Sequence, residues 1–142
     1  MRRKLALLSV GLLAVVGLST WRIYADAKPD AVPTYVGAAT CLCHTDPVHK
    51  SWETTKHAKA FEVLKLAGQE KNEKCLPCHT TGYGRGGHGT AGVTANLEGV
   101  QCEECHGPAG LHIGTADKTK ITRTPSVMVC ARCHQEMDIH AK

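Results

Sequence analysis

Apolar residues crowd the N-terminus first. Leu5 to Leu18 is a hydrophobic run broken only by Ser9, Gly11 and Gly17, and Arg2, Arg3 and Lys4 precede it. A basic flank, a short apolar run and the small-residue triplet Ala25-Asp26-Ala27 predict a secretory signal peptide over residues 1–27. The alternative is an uncleaved N-terminal anchor. Against it stand the length of the run, short for a span of about 20 apolar residues, and Arg22 at its far end. Further along, apolar positions recur with the helical period. Val48, Trp52, Val63 and Leu66 share one stripe, and His57, Ala60, Phe61 and Leu64 share another. This predicts a helix from about Val48 to Ala67, opened by Asp46 and Pro47 and closed by Gly68.

The remaining pattern is mostly punctuation. Residues 69–74 are polar. The stretch from Gly82 to Gly92 holds six glycines, which predicts a loop. Its Gly82-x-Gly84-x-x-Gly87 spacing formally matches a dinucleotide fingerprint, but no strand precedes it and no helix follows. Pro108 and Gly110 predict a turn, and residues 114–124 a second loop. A last helix starts at Thr124-Pro125-Ser126. The expected fold class is mainly α and loop-rich, a single small domain over residues 28–142.

Cysteine changes the picture most. Three segments read C-x-x-C-H: Cys75-Leu76-Pro77-Cys78-His79, Cys102-Glu103-Glu104-Cys105-His106 and Cys130-Ala131-Arg132-Cys133-His134. This is the attachment motif of haem c: two thiols add to the vinyl groups and the adjacent His faces the iron. A fourth, shortened copy is Cys41-Leu42-Cys43-His44, and these clusters use all eight cysteines. Zinc binding and disulfides are the bland readings. Neither explains a His directly after every pair in a chain where only 9 of 142 residues are His. In the first cluster Cys41 stands one residue too near. Three outcomes follow: a haem held by Cys43 alone with His44 as ligand, a strained double attachment, or no haem. Four haems are the expectation, three of them on full motifs.

Four haems in 115 residues leave about 29 residues each, too few for separate cores. The haems themselves are then expected to be the core, close-packed, in keeping with a single Phe and a single Trp after residue 27. The motifs recur with His-to-His spacings of 35, 27 and 28 residues, a repetition of sites that matches no helical repeat. Five histidines lie outside the motifs: His49, His57, His88, His112 and His140. So many in so short a chain point to distal axial ligands. His57 is the first candidate, because of its apolar helix face. His112 follows a turn that could carry it to a neighbouring haem, and His140 is third. His49 and His88 are open either way, and Met128 and Met137 are read as packing. The expected metal ligands are therefore His44, His79, His106 and His134 with His57, His112 and His140.

The net charge of +4 includes the basic leader. Residues 28–142 carry 13 Lys and Arg against 12 Asp and Glu, and two propionates per haem would bring the holoprotein to about −7. No basic run is present, so no nucleic-acid partner is expected. Membrane association is expected only through an uncleaved N-terminus.

Several segments resemble the cytochrome c-554/c-prime family of tetrahaem cytochromes c. They are Tyr35-Val36-Gly37 with Cys43-His44, Ser51-Trp52 with His57-Ala58-Lys59-Ala60, and Cys78-His79-Thr80-Thr81-Gly82-Tyr83-Gly84. The most specific is Gly99-Val100-x-Cys102-Glu103-x-Cys105-His106-Gly107-Pro108. The resemblance covers roughly residues 35–134. It implies a mostly α, loop-rich fold around four close-packed haems, with His57 and His112 as distal ligands and an open iron position on the haem of His79. The chain departs from the family in its shortened first motif. It also stops soon after the fourth, where longer relatives supply a distal ligand; His140 substitutes for that ligand, or the iron is open.

The function expected from these readings is a periplasmic or otherwise exported electron carrier between redox partner proteins. A setting in nitrogen-compound respiration or oxidation is implied by the resemblance. One alternative is a haem enzyme that binds or reduces nitric oxide, nitrite or hydroxylamine at an open iron; no residue pair marks itself as catalytic. The other is a subunit of an electron-conducting assembly.

Overall fold

The computed structural model describes residues 32–43, 46–93 and 95–135, without the side chains of Leu42 and Cys43. The candidate leader, His44, Met137 and His140 lie outside them. A 3-10 helix, Ala38–Cys43, comes first. Six short helices follow: α1 Asp46–Glu53, α2 Ala60–Leu66, α3 Leu76–His79, α4 Cys102–His106, α5 Gly110–Thr115 and α6 Val127–His134. A second 3-10 turn, Lys118–Lys120, separates α5 from α6. Among the described residues no strand forms, and the single bridge pairs Thr80 with Glu98. The mainly α, loop-rich class is what the sequence led us to expect. No described helix is long and apolar enough to cross a membrane.

The expected helix from Val48 to Ala67 is two helices. Hydroxyls compete with the helical ladder at the break. Thr54 Oγ1 donates to Ser51 O (2.8 Å), Thr55 Oγ1 donates to Trp52 O (2.7 Å), and Thr55 Oγ1 accepts from Ala58 N (3.2 Å). The break is useful to the fold, because it frees His57 O to accept Val100 N at 2.9 Å. His57 consequently sits in the connecting turn and not on the apolar face of a helix. The last helix starts where expected: Ser126, extended at φ −76° and ψ 158°, stands at the N-cap position of α6 without a side-chain capping bond.

Apolar packing is sparse. One cluster joins Phe61 and Leu64 of α2 to Leu76 of α3, with Cys75 and Tyr83 against it. Leu97 and Ala109 are also buried, whereas Val48, Leu66, Val127 and Met128 are exposed. Polar groups occupy much of the remaining interior. Thr80, Thr81, Gln101, Glu103 and Glu104 are all buried, and each buried polar group must find a partner. Gln101 does so completely: its Oε1 accepts Ala38 N (2.7 Å), and its Nε2 donates to Asn96 O (2.9 Å) and Glu98 O (3.0 Å). Thr81 Oγ1 donates to Gly99 O and accepts from Gln101 N.

Gly99 holds the two halves of this network together at φ +80°, and a Cβ there would stand 2.4 Å from Ala58 O. Its amide donates to His79 O at 3.2 Å. Gly99→Ala is expected to cost at least about 2 kcal/mol, from left-handed backbone strain and overpacking. A lowered midpoint in thermal unfolding checks this; an unchanged midpoint would show that the 57–58 turn yields without cost.

Candidate haem centres

Each full motif is built on one helical turn. Cys75 precedes α3 and His79 ends it; Cys102 opens α4 and His106 ends it; Cys130 and Cys133 lie on α6 and His134 ends it. Residues three apart on a helix face the same way, so the turn presents both thiols of a pair together. The first 3-10 helix carries Cys41 and Cys43. No disulfide joins the described cysteines.

Loops bring the motifs to shared cavities. One cavity of about 230 Å³ is lined by Cys78 and His79 of the second motif, Cys105 of the third, and Cys130, Cys133 and His134 of the fourth. His57, Ala60, Val100, Glu104 and Val129 complete its wall. Within it the His57 and His134 rings stand 6.1 Å apart, centre to centre, at 70°. A second cavity of about 200 Å³ is lined by Cys41, Cys102, His106 and His112, with Thr40, Val48 and Ile121 among its other walls. Thus His79, His106, His134, His57 and His112 all face spaces that also hold motif cysteines. The side chain of Cys43, with His44 and His140, falls outside the described residues.

Three of these rings are oriented by backbone carbonyls. His79 Nδ1 lies 2.7 Å from Ala60 O, His106 Nδ1 2.6 Å from Thr122 O, and His112 Nδ1 3.0 Å from Asp117 O. A carbonyl can only accept, so Nδ1 carries the hydrogen and Nε2 the lone pair. Iron-ligating histidines are held in this way. Thiols from different motifs also approach one another. A hydrogen bond with Cys41 lowers the Cys102 thiol pKa to about 6. Burial, reinforced by Cys78, pushes Cys133 up to about 12.

Two residues the sequence reading passed over organise the site. Glu103, buried between the third motif's cysteines, accepts Val36 N, Gly37 N (2.8 Å) and Ala109 N (2.7 Å). It ties the chain before the first motif to the third motif and to the start of α5. Glu104 accepts Gly82 N at 2.9 Å and pairs with Arg85, while Arg132 Nη2 stands 3.7 Å away and donates to the Glu104 carbonyl at 2.9 Å. Arg132 is a spacer residue of the fourth motif, so this pair clamps α6 onto α4. The available signal was two adjacent acids inside a motif that asks nothing of its spacer. His88 was open; it packs on Phe61 (5.4 Å) and Tyr83 (6.5 Å), away from the two cavities.

Residues 40–107 match the family model described as cytochrome c554 and c-prime. The chain is 34% identical over 82 residues to "Cytochrome c-554" of Nitrosomonas europaea (strain ATCC 19718 / CIP 103999 / KCTC 2705 / NBRC 14298), a match covering 46% of this chain and 34% of that protein. The chain thus spans about a third of the curated relative's length. No solved structure matches. The matched segment contains the second and third motifs, both glutamates and the Gly99 junction, and over it the chain is similar to the cytochrome c554 and c-prime family.

Proposed function

We propose that the chain is an exported multihaem c-type cytochrome that carries electrons between redox partner proteins. The observation that supports this best is the convergence of the second, third and fourth motifs, with His57, on one cavity. The donor set suits haem c: paired thiols on one helical turn, an adjacent His, and rings locked with Nε2 as the basic nitrogen. Two imidazole nitrogens each about 2 Å from one metal put their ring centres about 6 Å apart, close to the His57–His134 spacing of 6.1 Å. Cys75 and Cys78, Cys102 and Cys105, and Cys130 and Cys133 would hold haem covalently, with His79, His106 and His134 as proximal ligands. The first site would rest on Cys43 and His44 with Cys41 close by. Bound haem would supply one-electron exchange at iron, its potential set by axial ligands and burial.

The polypeptide's part is positional. The backbone of α3, α4 and α6 fixes the thiols. The carbonyls of Ala60 and Thr122 hold His79 and His106 in one tautomer. The Glu104–Arg85–Arg132 cluster keeps α6 against α4, which holds neighbouring sites close. A domain with so few buried apolar side chains would take its core from the porphyrins. Export follows from residues 1–27 read as a signal, and a setting in nitrogen-compound metabolism follows only from the kinship.

Intact mass of the secreted protein is the test. We expect a chain cleaved after Ala27 and carrying four haems that acid–acetone fails to extract. Release of most of the haem would refute covalent attachment. A mass with three haems would remove the first site. In that site, inserting one residue between Leu42 and Cys43 restores the full spacer and is expected to raise haem occupancy or thermal stability.

A further inference from the structure

His49, on α1, belongs to no motif and to none of the ligand pairs above. Only 10% of its side chain is exposed. Its Nε2 is buried and has no hydrogen-bond partner among the described residues. Glu53 Oε1 lies 3.4 Å from its Nδ1, and Trp52 packs edge-on against the ring at 5.3 Å. Trp52 is itself pinned, its indole donating to Val100 O at 2.9 Å. A carboxylate at Nδ1 favours the hydrogen on that nitrogen and leaves the lone pair on Nε2. A buried imidazole with a carboxylate behind it and a basic nitrogen ahead of it is the arrangement of a metal ligand. An ordinary packed histidine would satisfy that nitrogen.

The surroundings say which metal. His49 is close enough to the Cys102 thiol to act on it electrostatically, and Cys102 opens the third motif. Chain reach excludes the nearer alternatives. His49 follows His44 by five residues, and the last of them are helical, at a rise of about 1.5 Å each. That is too short to pass round the edge of a porphyrin, so His49 does not face His44 across one iron. By the same reasoning His112, six residues after His106 and on α5, does not face His106. His112 lines the cavity shared by Cys41, Cys102 and His106, so with His106 excluded by reach it is left for the first site, and the His57 ring stands by that of His134. His106 acts on the same Cys102 thiol as His49, which makes it the motif histidine on that side.

We propose that His49 is the distal axial ligand of the haem carried by Cys102, Cys105 and His106. The proposal rests on the haem reading above. Glu53 acts through His49 as a positioning residue, holding Nδ1 toward its carboxylate and turning Nε2 away from it. Two segments then exchange ligands: the one after the first motif closes the third site, and the one after the third motif supplies His112 toward the first.

The holoprotein is the sample, and its haem count is measured by mass throughout. Thioethers hold the haem whatever happens to the distal ligand, so His49→Gly is expected to keep the wild-type count. One low-spin ferric haem should become high-spin in electron paramagnetic resonance, and added imidazole should restore it. His49→Met, which keeps the volume should the Gly variant not fold, is expected to raise the potential of one haem only. Glu53→Gln should raise that same potential by less. His106→Met identifies the haem: the His49 and His106 changes should move the same redox wave. Unchanged spin states and potentials in the His49→Met protein overturn the proposal. So do shifts in two different haems. A wild-type protein lacking haem at Cys102 and Cys105 fails the haem reading itself, a result that mass mapping of the haem-bearing peptides reveals.

Discussion

Glu103→Ala is expected to abolish the folded state or leave it barely populated. The carboxylate is 1% exposed and accepts three backbone amides: Val36, Gly37 and Ala109. Its removal strands those donors. Each unsatisfied buried donor costs about 1–3 kcal/mol, so the loss is at least about 3 kcal/mol, a large part of the 5–15 kcal/mol typical of a domain. Glu103→Gln is expected to fall between. Both carboxylate oxygens accept backbone amides, so an amide side chain must turn its NH2 toward a donor. Denaturant unfolding of the holoprotein measures both variants. An Ala variant within about 1 kcal/mol of wild type would mean that the 36–37 segment finds other partners, and Glu103 would not be what ties it to the third motif.

His57→Met is expected to raise one haem's potential by on the order of a hundred millivolts, since axial ligands tune haem over a range of about 0.8 V and Met in place of His raises it. The motive is geometric. The ring stands 6.1 Å from that of His134, and the His57 backbone is fixed through the bonds its carbonyl accepts from Val100 N and Ala60 N. The haem count should not change, because His57 holds no thioether. A redox titration resolves the waves. If none moves, His57 leaves the ligand set and its nearness to His134 is packing.

These two residues show different kinds of legibility. His57 stood out in the sequence as a spare histidine near apolar positions, yet the stated reason was incomplete. The helical period through Val48 to Leu66 predicted one continuous helix. Thr54 and Thr55 bond back to the preceding turn and end α1, so His57 gains its place from a turn and from Val100. Glu103 was visible only as part of a family motif. Nothing local distinguishes a spacer acid that points to solvent from one that gathers three amides.

The chemistry of this chain is written locally. A thiol pair and a histidine within five residues need only one helical turn to present themselves together, so the motifs, the expected haem c and the mainly α, loop-rich class follow from the sequence. Partnership is not local. Which histidine faces which motif depends on paths through glycine-rich loops and turns, whose many backbone conformations carry no periodic signal. It depends also on buried polar anchors such as Glu103, Glu104 and Gln101, whose partners lie tens of residues away. Tertiary structure alone brought His57 to His134, set Arg132 of one motif on Glu104 of another, and buried His49 with its Nε2 unpaired among the described residues. Burial is what turns those placements into energy, because a polar atom removed from water must be satisfied by whatever the fold puts in front of it.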